Sequence, residues 1–174
     1  MSTQFGIDIF CDASVQNLFG HVMANKTVCV GAYGYYIPLY DRYKVDIIKD
    51  VNASLVNYCE LLAFHKTLKE CCGLTGKGIV RIHTDANFVF TGVNKLIQLK
   101  NLYGFVPDSF YEGIPCVKSR ALYKKIAAYD FSCIFVLKVK AHMNKMHGKY
   151  VHNNCIDKKC NGVAKKHKKL LTEG

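Results

Sequence analysis

The sequence predicts an α+β or mixed-sheet domain. Two observations predict it. The first fifty residues hold three segments of β-type alternation joined by short connections, the pattern of an antiparallel meander. From residue 57 onward, helical periodicity alternates with short apolar strands, the pattern of crossover connections. A chain of 174 residues, half of them hydrophobic, fits one domain over 1–174 with a core of its own.

The elements follow in order. Phe5, Ile7, Ile9 and Cys11 alternate with other residues and predict a first strand that closes at Asp12. Thr27 to Ile37, rich in Val and Tyr, predicts a second strand, and Gly31 and Gly34 within it allow close backbone approach. Tyr43, Val45 and Ile47 predict a third, reached through a turn at Pro38–Asp41. Leu61, Phe64, Leu68 and Cys71 share one face of a helix over 57–72, which Gly73 stops. Gly78 to Asp85 returns to a strand, and Phe90, Val93, Leu96 and Lys100 continue as a helix. Two prolines and two glycines predict irregular structure over 101–117. A short basic helix over 119–129, a buried strand over 133–141 and a last helix over 153–171 complete the chain. In the last helix Ile156, Cys160, Val163, His167 and Leu170 form one stripe.

Composition narrows the function classes. The longest nearly uncharged apolar stretch, Val28 to Tyr40, is 13 residues and is broken by Gly31, Gly34 and Pro38. It is too short to span a bilayer, and nothing at the N-terminus reads as a signal peptide, so no membrane association is expected. The net charge of +11, with six lysines and no acid from Lys158 to Lys169, points to a polyanionic partner. The nine cysteines are an odd number without a CxxC pair, which suits free thiols in the cytoplasm or another reducing intracellular compartment. The spacings of His142, His147, His152, Cys155 and Cys160 match no common finger or ribbon and argue against zinc.

Acids are scarce, 13 in all, so their placement carries information. Asp12 and Asp85 each close a predicted strand, a common place for a site. Glu60 has Val56, Ala63 and Phe64 as its helical neighbours, and Asp157 lies beside the buried stripe of a helix full of lysine. Singly each has a plainer reading: a cap or turn for Asp12 and Asp85, a capping box of Asn57 with Glu60, and a pair of Asp157 with Lys158 or Lys159. Jointly they suggest convergent carboxylates without a cation, which is a site for hard divalent ions such as magnesium.

These motifs resemble type 1 ribonuclease H. Phe10-Cys-Asp-Ala-Ser14 is similar to the family's opening strand, Asn57-Tyr-Cys-Glu-Leu-Leu-Ala63 to its first helix, and Ile82-His-Thr-Asp-Ala-Asn-Phe-Val89 to its fourth strand. Val139-Lys-Ala-His142 with Asn153-Asn-Cys-Ile-Asp157 resembles its last strand, histidine loop and final helix. The likeness spans about residues 5–170 in the family's order. Ala13 stands where glycine is usual, and 101–117 holds no tryptophan-rich basic protrusion.

The resemblance implies the ribonuclease H-like fold, a five-stranded mixed sheet flanked by helices. It implies two Mg2+ ions, with Mn2+ as a substitute, held by the catalytic carboxylates Asp12, Glu60, Asp85 and Asp157, and two-metal hydrolysis of the RNA strand of an RNA–DNA hybrid by a monomer. Asn57 and Asn87 would contact the hybrid, and the lysines of the last helix with Arg120, Lys124 and Lys125 would meet phosphates. A loop histidine would assist proton transfer or product release; His142 is favoured, with His147 as the alternative. At the last helix a second register would put Asn161 at the ligand position. Asp157, in the helix's opening turn, is preferred, leaving Asn161 a role in stability. Two other readings keep the fold: a nucleic-acid-binding module without catalysis, and a junction-resolving nuclease.

Overall fold

In the computed structural model, which describes residues 6–23, 26–52, 56–71, 73–74, 76, 78–140 and 148–172, the meander forms as expected. Strands β1 (Gly6–Met23), β2 (Lys26–Ile37) and β3 (Arg42–Asn52) pair antiparallel. A 3-10 turn at Pro38–Tyr40 joins the last two, and Asp41 closes it in the left-handed region at φ 47°. Strands β4 (Ile79–Thr84) and β5 (Ile134–Lys138) add in parallel on the other side of β1, giving the order β3-β2-β1-β4-β5. The described helices are α1 (Val56–Cys71), α2 (Asn87–Tyr103), α3 (Asp108–Glu112), α4 (Val117–Ala127) and α5 (Gly148–Thr172).

Side-chain alternation along the strands splits the core into two layers. Ile7, Ile9 and Cys11 of β1, with Val80 and Ile82 of β4, pack with Leu61, Phe64 and Leu68 of α1, Val93 of α2 and Ile126 of α4. Phe10, Ala32 and Tyr36 face the other way, where Ile156, Cys160 and Ala164 of α5 cover them. Each fully buried Leu, Ile or Phe contributes about 1.5–3 kcal/mol by removal from water. Gly34 of β2 leaves no room for a side chain against β3: a Cβ there would meet the Lys44 carbonyl.

The structure differs from the sequence reading in instructive ways. β1 does not close at Asp12 but runs on to Met23, because its antiparallel partner persists: Asp12 pairs with Gly34 and Ala13 with Tyr33. What ends there is the parallel ladder, whose last pair is Cys11 with Thr84. Residues 101–117 are not irregular throughout. α2 extends to Tyr103, where left-handed Gly104 returns its N–H to the Lys100 carbonyl at 2.8 Å. Pro107 and Asp108 then start the single-turn α3, a residue pair that suits a helix N-terminus. Asn57 lies inside the first turn of α1 rather than ahead of it, which removes the capping-box reading.

Candidate active site

The parallel ladder between the neighbouring strands β1 and β4 ends at Cys11 and Thr84, and the acids lie just past that end. Asp12 directly follows the last β1–β4 pair, and Asp85 directly follows Thr84. Glu60, one turn into α1, completes the group: a carboxylate oxygen of each of the three lies within 4.8 Å of the others. Asp12 is 2% exposed. Its Oδ1 accepts the Ala13 N–H at 2.9 Å, while Asp12 Oδ2 and Glu60 Oε2 are buried without a hydrogen-bond partner. Burial, and then the charges of Glu60, Asp85 and Asp157, hold the Asp12 carboxyl well above the usual carboxylate range. Glu60 is pushed the same way, by burial and then by Asp85 and Asp157. The Cys11 thiol beneath them is also raised, by burial first and then by Glu60. Crowded carboxylate oxygens that lack donors fit a hard divalent cation, which takes oxygen ligands and repays their mutual repulsion.

The helix α5 supplies the opposite wall. Asn153 is 2% exposed, with Nδ2 at 3.5 Å from Asp85 Oδ2 and a buried Oδ1 that accepts no hydrogen bond. Asp157 sits one turn on. Its carboxylate lies outside the 4.8 Å cluster, yet its charge reaches both Asp12 and Glu60. Asn161, a further turn on, is not a bystander: Nδ2 donates to Asp157 Oδ1 at 3.3 Å, and Oδ1 accepts the Ser14 hydroxyl at 2.5 Å. Between them, the Cys160 thiol donates to the Asp12 carbonyl at 3.5 Å and ties the helix to β1.

The expected nucleic-acid contacts flank this cleft. Asn57 and Asn87 are both exposed, in the first turns of α1 and α2. The Lys138 ammonium donates to Asn87 Oδ1 at 2.9 Å, which places at the site edge a cation that the sequence reading passed over. The Lys118 ammonium lies 5.9 Å from the centre of the Tyr58 ring, beside Asn57. Arg120 departs from expectation, since its guanidinium donates to the Ile114 carbonyl at 2.8 and 3.3 Å and so serves the α3–α4 connection. Lys158, Lys159, Lys165, Lys166 and Lys169 are exposed along α5. His142 and His147 lie outside the described residues. Of the other residues weighed for zinc, His152 packs against the rings of Phe10 and Tyr36 at 5.4 and 5.9 Å, and Cys160 is buried against β1.

No known protein-family model matches the sequence, and no curated protein matches it either. Solved structures do. The PFV RNase H domain in solution is similar with a TM-score of 0.60 at 13% identity, over 96% of this chain and 96% of that one. LC9-RNase H1, a type 1 RNase H with the type 2 active-site motif, is similar at 0.56 and 12% identity, over 95% of this chain and 74% of that one. A foamy viral protease-reverse transcriptase in complex with RNA/DNA hybrid is similar at 0.55 and 15% identity, over 92% of this chain. This chain spans 20% of that larger one. With its β3-β2-β1-β4-β5 order and its helices on both faces, the chain has the ribonuclease H-like fold.

Proposed function

We propose that this chain is a divalent-metal-dependent nuclease that hydrolyses the RNA strand of RNA–DNA hybrids, working as a monomer built from one domain over 1–174. The observation that carries the reading is the meeting of Asp12, Glu60 and Asp85 within 4.8 Å on this fold, with two of their oxygens buried and lacking donors. Asp12, Glu60 and Asp85 would hold the ions, Mg2+ or Mn2+, with Asp157 completing the set from α5. Two such ions, when bound, supply an activated water and stabilisation of the leaving oxygen.

The chain's own residues do the rest. Asn153 orients Asp85 through its amide N–H. Asn57 and Asn87 read the backbones of the hybrid from either side of the cleft, and Lys138, held against Asn87, meets a phosphate there. His142 handles a proton as product leaves. Sequence preference is slight, since such contacts address groove shape, phosphates and 2′-hydroxyls. A structural neighbour seen with RNA/DNA hybrid supports the choice of substrate.

The test is a cleavage comparison on labelled hybrid, double-stranded RNA and branched DNA, each with Mg2+ and with Mn2+. Hybrid cleavage that is lost in Asp12→Asn is the expected result. Binding without cleavage under either metal, by folded protein, would make it a non-catalytic module, and preferred cutting of branched DNA would make it a junction-resolving nuclease.

A further inference from the structure

We infer that Asn161 is the positioning residue for Asp157, an inference that rests on Asp157 being a metal ligand. Four side chains form a one-way chain of donors across the β1–α5 interface. Gln16 Nε2 donates to Ser14 Oγ at 3.4 Å, the Ser14 hydroxyl donates to Asn161 Oδ1 at 2.5 Å, and Asn161 Nδ2 donates to Asp157 Oδ1 at 3.3 Å. Gln16 Nε2 also reaches Asn161 Oδ1 at 3.5 Å. Two donors thus converge on the amide oxygen, and this fixes which way the amide faces. The reverse orientation would set its oxygen against a carboxylate oxygen and its NH2 against Gln16 Nε2. Asp157 therefore receives an N–H from a group anchored to the strand that carries Asp12.

Asp157 needs such an anchor. Its carboxylate lies outside the 4.8 Å cluster and comes from a different element than Asp12, Glu60 and Asp85. An amide meets the need without adding charge. A carboxylate in its place would add a further negative group beside Asp12, Glu60 and Asp85, whose oxygens already crowd within 4.8 Å of one another. The third position of the turn-spaced series Asn153, Asp157 and Asn161 is thus an amide for a physical reason, and its work is to hold Asp157 towards β1.

The experiment measures Mn2+ affinity by calorimetry, with thermal unfolding alongside, on wild type, Asn161→Ala, Asp157→Asn and the double variant. Each single variant should weaken Mn2+ binding by about 10-fold, the low end for groups that orient a metal ligand. The double variant should be no weaker than Asp157→Asn alone, because the amide acts only through that carboxylate. Ser14→Ala, which frees the amide while leaving Asn161 in place, carries the same test if Asn161→Ala does not fold. Wild-type Mn2+ affinity in Asn161→Ala beside a weakened Asp157→Asn, or losses that add in the double variant, overturns the inference and leaves the nuclease reading standing. Unchanged affinity in Asp157→Asn removes Asp157 from the metal site, and the inference falls with that assignment.

Discussion

Glu60→Gln should make the metal-free protein more stable while abolishing its response to metal. Carboxylates with oxygens within 4.8 Å of each other repel by about 3.5 kcal/mol per pair at an effective dielectric of about 20. Ionised Glu60 faces two such neighbours; burial first, and then these charges, raise Asp12 and Glu60, so that in metal-free protein they take up protons more readily. The net gain from neutralising Glu60 at pH 8 is therefore smaller than the bare repulsion, about 2–3 kcal/mol. For a domain of this size that corresponds to about 4–12 °C in Tm.

The sign of the pH dependence follows from the same shifts. An unfolded carboxylate releases its proton near pH 4, whereas the raised groups in the folded state hold theirs to higher pH. Between those limits the folded state binds more protons, so stability falls as pH rises and levels off only above the raised values. Thermal unfolding from pH 5 to 8 in EDTA should show wild type losing Tm with pH and Glu60→Gln losing less. Added Mn2+ should raise the Tm of wild type and leave the variant nearly unmoved. A variant less stable than wild type at pH 8 in EDTA, or an equal Mn2+ response in both, would refute the reasoning.

Three further outcomes are expected. Hybrid affinity should fall steeply with salt, with a log–log slope equivalent to about 4–6 neutralised phosphates, because the exposed lysines of α5 displace counterions; a flat salt series from filter binding contradicts a phosphate-dominated surface. His142→Ala should lower multiple-turnover cleavage while His147→Ala leaves it unchanged, and the opposite pattern in steady-state kinetics moves the proton role to His147. Gly34→Ala should destabilise by about 1–3 kcal/mol in urea unfolding, since the new methyl group meets the Lys44 carbonyl of the neighbouring strand; an unchanged midpoint refutes that close approach.

The parts of this molecule legible in its sequence are those decided locally. The apolar stripe Leu61, Phe64 and Leu68 needs no partner to declare a helix, and an acid after a run of β residues declares itself at Asp85. What stayed hidden depends on pairing across the fold. The run of β1 past Asp12 is set by β2, which continues beside it after β4 has ended. Lys138 reaches Asn87 only because β5 delivers its end beside the start of α2. Asn153 and Asn161 were hardest to weigh: an amide carries no charge, so nothing in composition marks one that holds a carboxylate in place.

How the chain treats its other acids is the strongest physical argument that Asp12 and Glu60 are kept for binding. Asp8 accepts from Arg81 Nε and Nη2 at 2.7 and 2.9 Å and pairs with His83 Nε2 at 2.8 Å, and the Arg81 guanidinium holds its carboxyl below the usual range. Asp46 pairs with Lys66, and Glu70 meets Arg42 at 3.0 Å. Each of these acids is at least partly open to water, where an unpaired carboxylate costs little. Asp12 and Glu60 have their orphaned oxygens fully shielded, where the cost is far higher, yet among the described residues neither has a cationic side chain against it. Supply is not the obstacle, since the chain has 24 Lys and Arg and α5 alone turns five exposed lysines outward. Selection for stability would have moved one of them inward or removed an acid. A chain that sets cations against Asp8, Asp46 and Glu70, where water is within reach, and none against the shielded oxygens of Asp12 and Glu60 has left the neutralisation of those two to a cation that it binds.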